Sequence, residues 1–518
     1  MSGPDEAGGL TPTVVRASSL TGLGWVVNQL MNLAIYIVLA RLATPTQFGQ
    51  LAAGSILVTT GGLFADSGMM AALIHRRDRL QEAANTAVVA TLLAGFILSL
   101  IALAASPLVG LFFGSHTIAT VAAVTAGWIL LRSATSVPDA LMQRRFSILR
   151  RVLVEPLGII AFGAVSIVTL ELGMGVWGLV LGNTAQMAIM VVAAWALARW
   201  RPRLRLASFG LWREMVGYGR HVIAGQIVGV TGGQLQRAVV GGLIGTASLG
   251  QYTYANRLGL RPYDLMVRSG SYVLFPAFAR IAHNPERLRR AFVRSLRAVC
   301  LIGMPLGLVL IPLGEPAAVV LLGDTWRPAG YVTMALAGYT GCRSMFSLCS
   351  EALKGAGRPE ILPKMNLLSA VSGPIFMLAL LPLGLTAVAV GVSASAAVAA
   401  AYALRKASGV IQLPGRRMLH EIWPPAAAAA AMAIILYPVE HLVVNADSHS
   451  TGLGVALLGL EGVLAVGIYV GALGVIAPRM TAELFGLLRA IRARLMSRRV
   501  AAEAPREGEL PPATTPAK

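Results

Sequence analysis

Apolar runs of about twenty residues follow one another along nearly the whole chain, separated by short breaks that carry charges, proline or glycine. About twenty residues of α-helix span the hydrocarbon core of a bilayer. Of the 518 residues, 56% are hydrophobic and only 13% are charged, whereas soluble domains are about 25% charged. These features exclude an ordinary soluble enzyme and predict an all-α integral membrane protein that crosses the bilayer many times.

The breaks divide the sequence into about fourteen predicted transmembrane helices. They cover residues 20–40, 50–74, 84–106, 117–141, 153–171, 175–198, 218–241, 251–278, 292–313, 329–352, 362–382, 385–404, 424–443 and 453–476. An even number of crossings places both termini on the same side of the membrane.

The basic net charge follows the same topology. The chain has 43 Lys and Arg against 23 Asp and Glu, a formal charge of +20, which in a soluble protein would suggest nucleic acid. Among the first twelve helices, the loops on one side hold nearly all the loop arginines, and the opposite loops offer Arg41 and Arg327. Because cytoplasmic loops collect Lys and Arg, we expect the arginine-rich side and both termini to be cytoplasmic, with no nucleic-acid partner.

A short internal echo predicts two parallel halves. Residues 42–50 (LATPTQFGQ) and 243–251 (LIGTASLGQ) share a leucine and a Gly-Gln pair, and each follows the first helix of a predicted six-helix unit. We expect a cytoplasmic segment (1–19), an N-lobe of helices 1–6 (20–213), a C-lobe of helices 7–12 (214–410), two extra helices (411–478), and a basic amphipathic helix with a disordered tail (479–518).

Other patterns indicate packing rather than chemistry. Glycines spaced four apart, at 225, 229 and 233 and at 178 and 182, predict close helix packing. Cys300, Cys342 and Cys349 lie in apolar stretches without metal-ligand spacing. The sequence has no P-loop, nucleophile elbow or zinc-protease motif, so we expect no enzyme activity, no cofactor and no metal site.

Charged residues inside the predicted helices are the candidate functional residues, because a charge in the bilayer usually faces a water-filled cavity or a partner. Arg257, Arg261, Asp264 and Arg268 are spaced four, three and four and share one helix face. The guanidinium fork matches phosphate oxygens, so this stripe predicts an anionic substrate with a phosphate or pyrophosphate. Further candidate binding residues are Arg237, Arg343 and Arg132. The alternative is that these arginines snorkel or brace neighbouring helices.

Several stretches resemble the polysaccharide transporter family, which shares an exporter superfamily with multidrug and toxin extruders and lipid II flippases. The resemblance covers roughly residues 15–410. It is carried by Gly22-Leu23-Gly24-Trp25, Leu39-Ala40-Arg41-Leu42, Thr44-Pro45, Phe48-Gly49, Asp66-Ser67-Gly68, Ala72-Leu73-Ile74 with Arg76-Arg77, Ala255-Asn256-Arg257-Leu258, Leu274-Phe275-Pro276-Ala277 and Lys354-Gly355-Ala356-Gly357-Arg358-Pro359.

This resemblance implies a two-lobed bundle that moves oligosaccharides on undecaprenyl pyrophosphate across the bacterial inner membrane by alternating access. The product would enter exopolysaccharide, capsule or O-antigen synthesis, and the expected partners are membrane lipids, a polysaccharide polymerase and export machinery. Arg257, Arg261, Arg268, Arg237 and Arg343 would receive the pyrophosphate, and Arg132 would complete the cage from the facing lobe. The coupling-ion candidates are Asp66, Asp139 and Asp264, of which the first two could equally brace Arg132.

Two alternatives remain open at the level of sequence. A drug or cation exporter of the same fold should place more acids than arginines inside the membrane, and here the arginines outnumber the acids. A membrane polysaccharide polymerase or glycosyltransferase would need a large outer loop or a catalytic carboxylate pair, and the predicted outer loops are short.

Overall fold

The computed structural model describes residues 24, 27–66, 69–76, 78–144, 148–260, 274–483 and 485–486, and this part of the chain contains helices and no strand. The first half contains α1 (Val27–Leu42), α2 (Pro45–Gly54), α3 (Ile56–Asp66), α4 (Met69–His75), α5 (Leu80–Phe112), α6 (His116–Arg144), α7 (Ile148–Glu171) and α8 (Val176–Ala198).

The second half contains α9 (Phe209–Val239), α10 (Thr246–Gly259), α11 (274–281), α12 (Pro285–Leu308), α13 (Leu310–Leu322), α14 (Arg327–Ala335), α15 (Ala337–Gly355), α16 (Leu362–Leu380) and α17 (Leu385–Ile411). The chain ends with α18 (Gly415–Pro438), a π-helix (Val439–Val444) and α19 (Thr451–Ile476). Residues 1–23 and 487–518 lie outside the described residues, and of the expected amphipathic tail helix only the start, residues 479–483 and 485–486, is described, as helix.

Long apolar helices confirm the predicted membrane fold. Within the described ranges, nine helices are long and apolar enough to cross a bilayer, and a bent pair, Val27–Leu42 with Pro45–Gly62, could form a tenth crossing. The described helices overlap all fourteen predicted segments, although several are divided into pieces too short to count as a span, so the number fourteen stays a prediction.

The predicted continuous helix over 50–74 is wrong, because the chain forms α2, α3 and α4 there. The start of α2 is encoded locally. The Thr44 side chain accepts a hydrogen bond from the Gln47 N–H, the Gln47 side chain accepts one from the Thr44 N–H, and Pro45 occupies the first turn. This capping box fixes a new helix start directly after α1. The chain turns by 119° at this point.

The apolar core is divided into several clusters. Two draw their buried residues only from the first half, a third joins first-half residues to Met215 of α9, one lies within residues 278–418, and one joins Leu301 of α12 to α18 and α19. The largest cluster combines both halves, with residues of α1 and α2 packed against α10, α14 and α17. The two halves therefore share one core at the level of α1, α2, α10 and α14.

The two segments of the sequence echo meet in this shared core. A Cβ atom on Gly49 would lie 1.8 Å from the Thr246 carbonyl oxygen, and one on Gly250 would lie 1.9 Å from the Pro45 carbonyl oxygen. Each glycine of α2 or α10 thus rests on the first turn of the other helix. Only glycine allows two backbones to approach so closely.

Aromatic side chains surround this glycine contact. Tyr254 of α10 packs edge-on against Phe48 of α2, with ring centroids 4.8 Å apart, and Trp326 lies 4.1 Å from Tyr254. The buried Trp326 indole donates a hydrogen bond of 2.8 Å to the Ala40 carbonyl of α1. Arg41 donates to the Val320 and Leu321 carbonyls at 2.7 and 3.1 Å. The halves are therefore joined on the side where the loops carry few arginines, which we call the arginine-poor side.

The prediction that the spaced glycines pack closely against other helices holds for some of them and fails for others. Gly182 packs as predicted, since a Cβ there would lie 1.8 Å from the Ser166 hydroxyl. The prediction is wrong for Gly229 and Gly233, which face open space, and it is Gly232 that contacts Ala370 of α16. The four-residue spacing of these glycines showed that they share one face of α9, but it could not show which helix that face contacts. The surroundings of Gly225 are not among those that the structure describes.

Ion pairs link helices on the arginine-rich side. Arg297 of α12 donates twice to Glu421 of α18, at 2.6 and 3.0 Å, and also to Glu483. The Glu421 side chain is only 8% exposed and the Arg297 side chain 23% exposed. This arginine therefore neutralises a buried carboxylate and ties the last helices to the C-terminal half.

Candidate substrate site

Two predicted arginines come together beside the junction of the halves. Arg237, near the end of α9, and Arg257, near the end of α10, are both half-buried and close enough to interact electrostatically. Within the described ranges neither has an acidic partner. Two like charges of this kind leave the site with an excess of positive charge, which favours an anion.

The Arg257 guanidinium is held by an aromatic ring. Its central carbon lies 3.6 Å from the centroid of the Tyr36 ring of α1, a cation–π contact that orients the fork without neutralising it. Gln236, beside Arg237, accepts a hydrogen bond of 3.1 Å from the Tyr252 hydroxyl. The site is thus built from α1, α9 and α10, and Tyr36 is a residue that the sequence analysis did not select.

The open face of α9 leads to Arg237. Gly229 and Gly233 precede Arg237 by eight and four residues, so all three lie on one side of the helix. Both glycines are exposed, and within the part of the chain that the structure describes no atom lies within 4 Å of a Cβ built on either. An extended molecule could therefore lie along α9 with its charged end at Arg237.

Arg343 and Arg132 lie in different surroundings. Arg343 of α15 donates a hydrogen bond of 3.0 Å to the Ser369 hydroxyl of α16 and lies 4.6 Å from the Phe346 ring centroid. It is therefore at least partly occupied in bracing α15 against α16. Arg132 of α6 is exposed and lies over Gly62 of α3, where a Cβ would be 3.2 Å from its Cδ.

The remaining predicted residues are only partly described. Arg261, Asp264 and Arg268 fall within 261–273, outside the described residues, so the proposed stripe stays a prediction beyond Arg257. Asp139 is half-buried on α6, seven residues after Arg132. Asp66 is the last residue of α3, and its side chain is not among those described.

A second polar cluster, on the arginine-poor side, was missed. Glu315 of α13 accepts from Arg327 and lies 3.2 Å from His441 Nε2, while Arg327 also donates to Asp447 at 3.0 Å. Glu440 and Glu461, in the last two helices, are 1% and 2% exposed. A signal was present in the sequence, since these acids interrupt apolar runs, but they lie outside the arginine pattern of the first twelve helices.

Comparison with known proteins defines the family of the chain. Residues 38–330, more than half of its length, match the family model described as "Polysaccharide biosynthesis protein". The chain belongs to this family. Its relatives include the succinoglycan biosynthesis transport protein ExoT of Rhizobium meliloti, 26% identical over 70% of this chain and 74% of the relative.

Another relative, the lipopolysaccharide biosynthesis protein WzxC of Escherichia coli, is 21% identical over 68% of this chain and 73% of the relative. Solved structures give the family fold. The lipid II flippase MurJ in an inward closed conformation aligns with a TM-score of 0.70 at 13% identity, over 88% of this chain and 98% of that one.

An inward-facing multidrug resistance MATE transporter aligns with a TM-score of 0.61 at 18% identity, over 75% and 96% of the two chains. At these identities the likeness is one of fold. The protein is therefore a multi-span membrane protein of the polysaccharide biosynthesis family with the flippase and extruder fold, as the sequence resemblance predicted.

Proposed function

We propose that this protein translocates lipid-linked oligosaccharides across the bacterial inner membrane. The glycan would be carried on undecaprenyl pyrophosphate and delivered to exopolysaccharide, capsule or O-antigen synthesis. Support comes from the family, from relatives whose names refer to succinoglycan transport and lipopolysaccharide biosynthesis, and from the fold shared with a lipid II flippase. The fold alone also suits a drug exporter, so the choice depends on the site.

The observation that carries the proposal is the pair Arg237 and Arg257. Both guanidinium groups lie beside the junction of the two halves, and no described acid neutralises them. A binding site for a cationic drug would place carboxylates at this position. Two arginine forks instead suit a pyrophosphate, which presents several anionic oxygens to bidentate donors.

The same proposal assigns the topology and the mechanism. We assign the two halves to lobes that rock about the contact between α2 and α10, in agreement with the apolar clusters that lie within a single half. The arginine-rich side and both termini are cytoplasmic. The arginine-poor side is closed by Gly49, Gly250 and the surrounding aromatic residues in this conformation, and opening of that contact would release the substrate on that side. The protein acts as a transporter and not as an enzyme, and hands its product to a polymerase and export machinery.

The test is translocation of a labelled undecaprenyl-pyrophosphate oligosaccharide in proteoliposomes, measured by access of an added glycan-modifying enzyme. Arg237→Gln/Arg257→Gln should lower the rate by about 10- to 150-fold, the equivalent of about 1.5–3 kcal/mol for lost charge-assisted hydrogen bonds. Arg416→Gln, an exposed arginine at the start of α18, is the matched control and should keep the wild-type rate. Arg261→Ala/Arg268→Ala extends the same measurement to the rest of the stripe.

Two results would contradict the proposal. Equal rates for wild type and Arg237→Gln/Arg257→Gln would assign these arginines to helix bracing. Absence of translocation for several lipid-linked donors, together with uptake of a lipophilic cation by the same vesicles, would favour the drug exporter.

A further inference from the structure

Two carboxyl groups are buried against each other in the last two helices. Glu440, in the π-helix that follows α18, and Glu461, in the middle of α19, are 1% and 2% exposed. One oxygen of Glu440 accepts a hydrogen bond of 2.9 Å from the Ala446 N–H. The other Glu440 oxygen and both Glu461 oxygens receive no hydrogen bond from a donor group. The two carboxyl groups interact with each other.

Electrostatics requires a proton in such a pair. Two ionised carboxylates in contact repel each other, and burial removes the water that would screen them. No arginine, lysine or histidine forms a described ion pair with either group. A single proton shared between the two oxygens removes one charge and converts the repulsion into a carboxyl–carboxylate hydrogen bond.

The backbone around Glu440 forms a π-helical turn, a feature found at functional sites. Pro438 ends the regular part of α18, and the Asn445 N–H closes a π-turn on the Glu440 carbonyl at 2.7 Å. π-Helical turns are rare and occur frequently at functional sites. This turn places Glu440 against α19 while its neighbour His441 faces α13, where Nε2 lies 3.2 Å from Glu315.

A polar cavity reaches the pair from the arginine-poor side. It has a volume of about 150 Å³ and is lined by Glu315, Pro316, Arg327, Glu440, His441, Asn445 and Asp447. Since a water molecule occupies about 30 Å³ in the liquid, the cavity has room for a few waters. His441 lines this cavity, and the two ring nitrogens of an imidazole can donate and accept protons from such waters.

The other charged groups of the cavity are engaged with one another. Arg327 is bonded to Glu315, Asp324 and Asp447, and Glu315 also accepts from the Tyr331 hydroxyl at 3.4 Å. Their charges are therefore compensated within the cluster. Glu440 is the cavity-lining acid that lacks such a partner, and it connects the cavity to Glu461.

We propose that Glu440 and Glu461 form a proton-binding pair, loaded with one proton from the arginine-poor side through the cavity next to His441. A proton fits better than a metal ion, because the described residues contain no group of three or more His, Cys, Asp or Glu side chains that could hold one. If the proposed transport function holds, this pair couples translocation to the proton gradient, in addition to the aspartates considered above.

The test for the proton needs no transport substrate. Infrared spectra of the reconstituted full-length protein in H₂O and D₂O should show one protonated carboxyl per chain, with a carbonyl stretching band that shifts on deuteration within minutes. Glu440→Gln/Glu461→Gln should lose this band. Glu421→Gln, which removes a buried glutamate already neutralised by Arg297, should keep it.

Three results would overturn the proposal. The band could persist in Glu440→Gln/Glu461→Gln, it could be lacking in the wild type, or sodium chloride could abolish it where choline chloride does not, which would indicate a sodium site. Absence of the band in the wild type refutes the proposal without any variant, and if the double variant fails to fold, Glu440→Gln and Glu461→Gln made singly should each shift or remove the band.

The coupling role is tested separately. An inward proton gradient, acidic on the arginine-poor side, should accelerate translocation by the wild type and leave the rate of Glu440→Gln/Glu461→Gln unchanged. Gradient-independent translocation by the wild type would refute coupling while leaving the infrared result intact. Failure of the proposed function would appear instead as absence of translocation under every condition.

Discussion

The contact between α2 and α10 leads to a prediction about the conformational equilibrium. Alanine at Gly49 would place Cβ 1.8 Å from the Thr246 carbonyl oxygen, and alanine at Gly250 would place it 1.9 Å from the Pro45 carbonyl oxygen. Real Cβ atoms essentially never approach a heavy atom closer than 3.0 Å. The helices must therefore separate by about 1.2 and 1.1 Å respectively, and the neighbouring atoms are backbone, which cannot rotate away.

Overpacking of this kind costs about 1–3 kcal/mol. Because the clash exists only while the arginine-poor side is closed, the cost should appear as a shift of the closed–open equilibrium toward the open state by about 5- to 150-fold. The better helix propensity of alanine, up to about 1 kcal/mol, acts equally in both states and cancels. The double variant should shift the equilibrium by less than the product of the single effects, since both substitutions act on one contact.

Electron–electron double resonance between spin labels would measure this equilibrium. Labels at His116 and Thr325, both exposed on the arginine-poor side, report the separation of the two halves after the native cysteines are replaced. Gly49→Ala and Gly250→Ala should populate a longer distance. Gly127→Ala is the matched control, because a Cβ there meets no atom within 4 Å, and it should reproduce the wild-type distribution.

An unchanged distance distribution in both Gly49→Ala and Gly250→Ala, in protein that remains monodisperse and helical, would refute the reasoning. It would show that the two helices relax locally and that their contact does not set the position of the halves.

Two other contacts give further predictions. Arg297→Gln leaves the buried Glu421 without its counterion, and we expect it to lower the stability of the protein by about 3–5 kcal/mol. The loss should appear as faster thermal inactivation, which Arg297→Gln/Glu421→Gln should partly reverse. Equal inactivation rates for wild type and Arg297→Gln would contradict this prediction. Tyr36→Leu removes the cation–π contact of Arg257, which is worth about 0.5–2 kcal/mol. It should slow translocation by about 2- to 30-fold, whereas Tyr36→Phe should stay near the wild-type rate. Equal rates for Tyr36→Leu and Tyr36→Phe would contradict the role of the ring.

The sequence predicted the fold because membrane solvation leaves few options. Long apolar runs can only become helices in lipid, and the Gly-Gln echo at residues 49–50 and 250–251 identified the two segments that meet at the junction. The sequence could not show that these glycines contact each other, since spacing defines a helix face but not its neighbour. For the same reason the spacing of Gly229 and Gly233 wrongly predicted that this face of α9 packs against another helix.

The candidate site was only partly predictable. Intramembrane charge pointed to Arg237 and Arg257, because a buried cation needs an unusual environment wherever it lies, and the structure places the two arginines close to each other. Tyr36 gave no signal, since an aromatic residue in an apolar helix is ordinary. Glu440 and Glu461 lie 21 positions apart, and their contact depends on the hairpin between α18 and α19, which periodicity does not specify.

The glycine contact between α2 and α10 involves main-chain atoms on both sides, with no side chain at its centre. A side chain would have to be frozen on closing and rehydrated on opening, whereas glycine has no rotamer to lose. The two helices can therefore separate and rejoin many times with little entropic resistance from the contact itself. The same property makes the surface intolerant of change, because any residue larger than glycine acts as a permanent wedge. A contact that opens easily is therefore also one that a single substitution can keep open.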